Sequence, residues 1–157
     1  MRKILVIEDD ENIRESLVEL LEMRSYDLVS ADNGNRGLEL AQSARPDLIL
    51  CDVMMPGLSG YEVIEQIRRN ALLKNVPFVF LSAKAMDNDV QRGKDLGANT
   101  YLTKPFKAQE LFSVVDKLLE GDHRGGGPAS GRLMRSMNLA LDFVRPLFQP
   151  ESWRLTW

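Results

Sequence analysis

The feature that most constrains this chain is a fivefold alternation of short apolar runs with helical patterns. "KILVI" (3–7), "YDLVSA" (26–31), "DLILC" (47–51), "PFVFLS" (77–82) and "NTYLT" (99–103) read as strands. "ENIRESLVELLEMR" (11–24) is a helix with Ile13, Leu17, Leu20 and Leu21 on one face. "GNRGLELAQSA" (34–44) is a shorter helix, weakened by Gly37. "SGYEVIEQIRR" (59–69) opens with Ser59 and Glu62 at capping-box spacing and turns Val63, Ile64 and Ile67 inward. "DNDVQRGKDLG" (87–97) is a polar helix stopped by Gly97. "KAQELFSVVDKLLEG" (107–121) directs Leu111, Val114, Val115 and Leu118 inward. Such alternation implies a parallel sheet with helices on both faces, and right-handed crossovers leave few ways to connect it. The expected architecture is a doubly wound five-stranded α/β sheet in the order 2-1-3-4-5, whose reversal lies between strands 1 and 3.

Ligands of open α/β sheets bind at the carboxyl ends of the strands, near that reversal. Strand 1 ends in Glu8-Asp9-Asp10, strand 3 in Asp52, strand 4 in Ser82 and strand 5 in Lys104. Converging carboxylates repel one another and raise their own pKa values. A hard divalent cation relieves this; Mg²⁺ (or Mn²⁺) takes oxygen ligands, one or two carboxylates and a phosphate. A carboxylate can act as a nucleophile and form an aspartyl-phosphate. Lys104 and a metal would stabilise the charge of a transferring phosphoryl group there. This explains an acid at the tip of the apolar strand "DLILC": Asp52 is held rigidly, and its charge is compensated. From spacing alone, the metal-binding pair is either Glu8 with Asp9 or Asp9 with Asp10. The second possibility competes with helix capping, a role that Asp10 suits.

Composition narrows the classes. No apolar run approaches the roughly 20 residues that span a bilayer, and the run after "MRK" is too short for the ~7-residue minimum of a signal-peptide core. One cysteine, Cys51, forbids an internal disulfide and suits a reducing, cytoplasmic setting. Alternation turns Cys51 to the face opposite Asp52, as a buried small apolar residue. The net charge of −3 argues against non-specific nucleic-acid binding. Residues 1–120 carry −5 and residues 121–157 carry +2, which suggests a boundary near Gly121.

The stretches "ILVIEDDENIR", "PDLILCDVMMPGLSGYE", "VFLSAK" and "GANTYLTKPF", at their spacing, resemble the receiver domain of bacterial two-component response regulators, over about residues 2–120. The resemblance implies a flavodoxin-like (βα)5 fold and a phosphoryl group passed from a sensor histidine kinase or phosphotransfer protein to Asp52. It implies a Mg²⁺ site made by Glu8, Asp9, Asp52 and the backbone carbonyl of Met54. Lys104 then contacts the phosphoryl group, Ser82 is the switch hydroxyl, and Tyr101 is the aromatic that turns inward with it. The implied output is a shift of the surface formed by helix 4, strand 5 and helix 5, read by a downstream protein or a second copy. The protein would thus be a signalling domain that promotes its own phosphorylation and dephosphorylation, not an enzyme acting on a separate substrate. Two positions depart from the usual pattern. Glu8 stands where Asp is more frequent, and Met54 with Lys84 offers no group to position a hydrolytic water, so slow dephosphorylation is expected.

The sole histidine, His123, lies beyond the receiver, so the phosphodonor is expected to be another molecule. "GDHRGGGPASG" (121–131) reads as a flexible linker. Residues 132–157 carry an amphipathic pattern of Leu133, Met137, Ala140, Leu141 and Val144, which Phe148 joins if the helix continues past Pro146. This tail reads as a segment that packs on the receiver or on a second copy, as a helix-in-groove peptide, or as a fused partner segment. No helix-turn-helix pattern follows the receiver, so output through protein contacts is expected. Two alternatives use the same residues: a phosphorylation-independent adaptor, and a phosphohydrolase with an aspartyl-phosphate intermediate. The intact Asp52, Lys104 and Ser82 set disfavours the first. Met54, where such a hydrolase carries a second acid, disfavours the second.

Overall fold

The computed structural model describes residues 1–83 and 87–120. Strands β1 (Lys3–Ile7), β2 (Asp27–Ala31), β3 (Leu48–Asp52), β4 (Phe78–Ser82) and β5 (Thr100–Thr103) form one parallel sheet in the order β2-β1-β3-β4-β5. Helices α1 (Glu11–Glu22), α2 (Gly34–Ala44), α3 (Gly60–Arg69), α4 (Asp87–Asp95) and α5 (Ala108–Glu120) provide the crossovers and the last element. This is the flavodoxin-like arrangement expected from the alternation. The register pairs Ile7 with Cys51, Asp52 with Leu81, and Ser82 with Thr103. The carboxyl ends of β1, β3, β4 and β5 are therefore nearly level, which brings the residues that follow them to one edge.

Alternation along the strands makes two cores. Ile4, Val6, Leu48, Leu50, Val79 and Leu81 face α1 and α5. Leu5, Ile7, Ile49, Cys51, Phe78 and Phe80 face α2 and α3, with Leu96, Ala98 and Tyr101 packed at the margin. Cys51 is fully buried on this second side, as the strand pattern requires. The helices begin where side chains satisfy their free N–H groups. Asp10 accepts from Ile13 N–H at 3.0 Å and Asn33 from Arg36 N–H at 2.9 Å. Ser59 and Glu62 form the expected capping box, with bonds of 3.3 and 2.7 Å.

The buried face of α1 is the expected set of Ile13, Leu17, Leu20 and Leu21. Helix α5 differs. Its buried residues are Leu111, Phe112, Val115 and Leu119, while Val114 and Leu118 are only partly buried. The rotation has a polar cause. Asp116 pairs with Arg24 and accepts from the Tyr26 hydroxyl at 2.6 Å, and the Arg24 guanidinium lies 4.4 Å above the Phe112 ring. Asp116 thus faces the end of α1, and its helical neighbours four before and three after, Phe112 and Leu119, turn inward with it. Other boundaries shift by one or two residues. Helix α1 ends at Glu22 and α4 at Asp95, where Gly97 takes a φ of +100°. Its N–H and that of Ala98 then bond the Lys94 and Gly93 carbonyls. No helix among the described residues is long and apolar enough to cross a membrane. Lys84 and the segment 121–157, with its linker and tail readings, lie outside the described residues.

Candidate functional site

The site is built at the strand ends. Glu8 continues β1 by one residue, with its N–H donating to the Ala31 carbonyl at 3.1 Å. Its own carbonyl accepts from Arg14 Nη1 at 2.9 Å, so the first turn of α1 anchors it. Asp9 follows, immediately before the capping Asp10, and is exposed. Asp52 is the last residue of β3, between β1 and β4. Its placement depends on a close approach by α3. A Cβ at Gly60 would lie 2.3 Å from the Asp52 carbonyl oxygen, so only glycine lets the helix start there. Lys104 follows β5; its N–H donates to the Ser82 carbonyl at 2.6 Å, and its peptide bond to Pro105 is cis.

The buried charged and polar side chains of the described residues are Glu8, Asp52, Ser82 and Lys104. Three of them meet. Lys104 Nζ lies 3.0 Å from Glu8 Oε2 and 3.3 Å from Asp52 Oδ2. The other Asp52 oxygen, Oδ1, accepts from the Met54 backbone N–H at 3.3 Å. Carboxylate oxygens of Glu8, Asp9 and Asp52 lie within 4.8 Å of one another. One ammonium therefore serves three acids, of which Glu8 and Asp52 are buried and Asp9 is exposed. Burial pushes the Glu8 carboxyl up to about 8; Lys104 opposes this and the Asp52 charge adds to it. Asp9 is raised as well, by burial and then by Asp52. Cys51 behind them is raised by burial and is chemically a core residue. Excess acid charge and all-oxygen donors are what a hard divalent cation relieves, so these residues fit Mg²⁺ or Mn²⁺.

The remaining expected site residues occupy the side of the sheet covered by α3 and α4. Ser82 closes β4 one position beyond the Asp52 level and is buried. Tyr101 on β5 is half-buried, with its ring 5.8 Å from that of Phe80. Met54 leaves its side chain 76% exposed at the lip of the site, while its amide holds Asp52. Met55 is packed in the core. The sequence reading missed the Arg14 anchor and the Met54 N–H. It also missed Tyr61, which lies beside Tyr101, and Arg92, which stacks on the Tyr61 ring. The helical period of "GYEVIEQI" already places Tyr61 on the inner face with Ile64; its polar neighbours carry no local signal.

The model of the response regulator receiver domain matches residues 4–116. PhoP of Bacillus subtilis, an alkaline phosphatase synthesis transcriptional regulatory protein, is 41% identical over 118 residues, covering 75% of this chain and 48% of PhoP. Protein PilH of Pseudomonas aeruginosa is 32% identical over 121 residues, covering 77% of this chain and 100% of PilH. The chemotaxis protein CheY4 of Vibrio cholerae superposes with a TM-score of 0.74 at 32% identity, covering 76% of this chain and 99% of CheY4. Several relatives are longer: the chain spans about half the length of PhoP and of the probable transcriptional regulator ycf29 of Pyropia yezoensis. With a family model over most of its length and relatives above 30% identity, the chain belongs to the response regulator receiver domain family.

Proposed function

We propose that this receiver domain is a phosphorylation switch with Asp52 as phosphoacceptor. The observation that carries the reading is the approach of Lys104 Nζ to both Glu8 and Asp52, beside three carboxylates within 4.8 Å. A carboxylate oxygen of Asp52 attacks the phosphorus of a phosphohistidine on a partner kinase or phosphotransfer protein. The P–N bond breaks as the P–O bond forms, and its electron pair stays on the imidazole, which takes up a proton. Glu8, Asp9, Asp52 and the Met54 carbonyl would hold Mg²⁺, which supplies charge neutralisation for the incoming phosphoryl oxygens. Lys104 is already paired with Asp52, so it exchanges a carboxylate oxygen for a phosphoryl oxygen without leaving the site. Ser82 then donates its hydroxyl to the new group, and Tyr101 follows into the space that Ser82 leaves. The face of α4, β5 and α5 changes as a result and is read by a protein partner or a second copy. PilH and CheY4, matched over all or nearly all of their length, support a receiver that signals without an attached output domain. The same reading divides the chain into a receiver (1–120), a linker (121–131) and an interaction tail (132–157), in a cytoplasmic protein.

Incubation with acetyl phosphate and Mg²⁺, followed by intact mass measurement, tests the proposal. The parent chain gains one phosphate, whereas Asp52→Ala gains none. A chain that stays unmodified with acetyl phosphate and with a phosphorylated histidine donor overturns it, in favour of an adaptor that keeps only the shape of a receiver.

A further inference from the structure

Helix α4 meets the sheet through a glycine. A Cβ at Gly93 would lie 3.0 Å from Phe80 Cδ2, 3.1 Å from Phe80 Cε2 and 3.6 Å from Tyr101 Cδ2, so the helix backbone rests directly on these rings. The Phe80 ring is a hub. It packs edge-on against Tyr61 at 5.3 Å and Phe78 at 5.0 Å, and at a tilt against Tyr101 at 5.8 Å. Tyr61, in the first turn of α3, is buried in this group. Arg92 of α4 lies with its guanidinium carbon 4.1 Å above the Tyr61 ring, a cation–π arrangement across two helices. The Tyr61 hydroxyl lies beside that of Tyr101 and is pushed up to about 12, by burial first and by Tyr101 next.

Tyr61 therefore touches α4 through its ring face and β5 through its hydroxyl. A phenylalanine would fill the same space against Phe80, so packing does not account for the hydroxyl. When Tyr101 moves, the Tyr61 hydroxyl either loses that neighbour or follows it and disturbs the ring on which Arg92 rests. We propose that Tyr61 is a positioning residue of the switch: with Arg92 stacked on its ring and Tyr101 on its hydroxyl, it ties the position of Tyr101 to the docked position of α4. The proposal rests on the reading of Ser82 and Tyr101 as the moving pair. It adds a restraint that sets how much of the active arrangement is populated before phosphorylation.

The chain has three tyrosines, so uniform labelling with 3-fluorotyrosine gives three ¹⁹F lines that single Tyr→Phe variants assign. Spectra of the full chain are recorded at pH 7 with Mg²⁺, with and without acetyl phosphate, for the parent, Tyr61→Phe, Arg92→Gln and the double variant. In unphosphorylated Tyr61→Phe, the Tyr101 line is expected to move at least about a third of the way to its phosphorylated position. Arg92→Gln moves it in the same direction, and the double variant goes no further than Tyr61→Phe, because both act along one path. By linkage, Tyr61→Phe takes up phosphate no more slowly than the parent, because its population already leans to the phosphorylated arrangement. A Tyr101 line that stays in place in both single variants overturns the proposal, as do shifts that simply add in the double variant. If the parent takes up no phosphate, the phosphorylation reading fails on its own. The coupling then stands or falls on whether Tyr61→Phe displaces the Tyr101 line and the double variant displaces it no further.

Discussion

Glu8 is the residue whose chemistry is most altered by its place in the fold. Its folded pKa of about 8 is above its ordinary value, chiefly through burial. Between the ordinary and the raised value, the unfolded chain has released this proton while the folded chain keeps it. The metal-free protein therefore loses stability as pH rises from about 5 to about 8, by at most about 1.4 kcal/mol per pH unit from this group. Below the ordinary carboxylate range the contribution is fully present. Asp9, also raised, acts in the same direction. Thermal melts across this window in EDTA should show the decline, and Glu8→Gln or saturating Mg²⁺ should flatten it. A metal-free profile that rises with pH over the window contradicts the burial argument. Met54 is a second single-residue case. Its amide holds Asp52 while its thioether points to solvent and offers no hydrogen bond to an attacking water. Met54→Asn should shorten the life of the phosphorylated form by roughly three- to tenfold, read by intact mass after removal of acetyl phosphate. An unchanged lifetime removes Met54 from the control of dephosphorylation.

At the scale of elements, the site depends on how tightly the helices approach the strand ends. Helix α3 begins against the Asp52 carbonyl, and Gly60→Ala puts a methyl group 2.3 Å from that oxygen. Neither backbone can yield cheaply, so the variant should lose about 2 kcal/mol or more in urea denaturation and should take up phosphate more slowly. Unchanged stability would mean that α3 slides freely on β3. Gly37 shows the same principle against expectation. In the sequence it is only a weak point of α2, but a Cβ there would lie 2.4 Å from Ile7 Cδ1, so glycine lets the helix sit on β1. Arg68 performs a related task at the opposite end of α3. Its guanidinium donates to the carbonyls of Gly97 at 2.8 Å, Val76 at 2.7 Å and Lys74 at 3.2 Å. It ties the end of α4 to the α3–β4 connection and satisfies carbonyls that no ladder or helix reaches. These contacts link segments about 30 positions apart or less in sequence, yet nothing in the local pattern announces them.

For the whole molecule, both cores close within the described residues. One packs α1 and α5 against the sheet, and the other packs α2 and α3. A chain ended after Gly121 should therefore fold cooperatively and take up acetyl phosphate within about twofold of the full-length rate. Loss of either property would make residues 122–157 part of the folding unit. Much of this architecture was legible in advance, because period-2 and period-3.6 patterns are local and their alternation leaves few topologies. Order 2-1-3-4-5 brought Glu8, Asp9, Asp52, Ser82 and Lys104 towards one edge before any coordinate was known. Tertiary structure decided the rest. The Asp116 contacts set the rotation of α5, helix approach determined where glycine is required, and burial rather than residue type raised Glu8. The union of Tyr61, Arg92 and Tyr101 also came from packing. Strand and helix patterns follow from interactions between near neighbours in the chain, whereas distances between side chains on different elements, and the desolvation they suffer, exist only once those elements have packed.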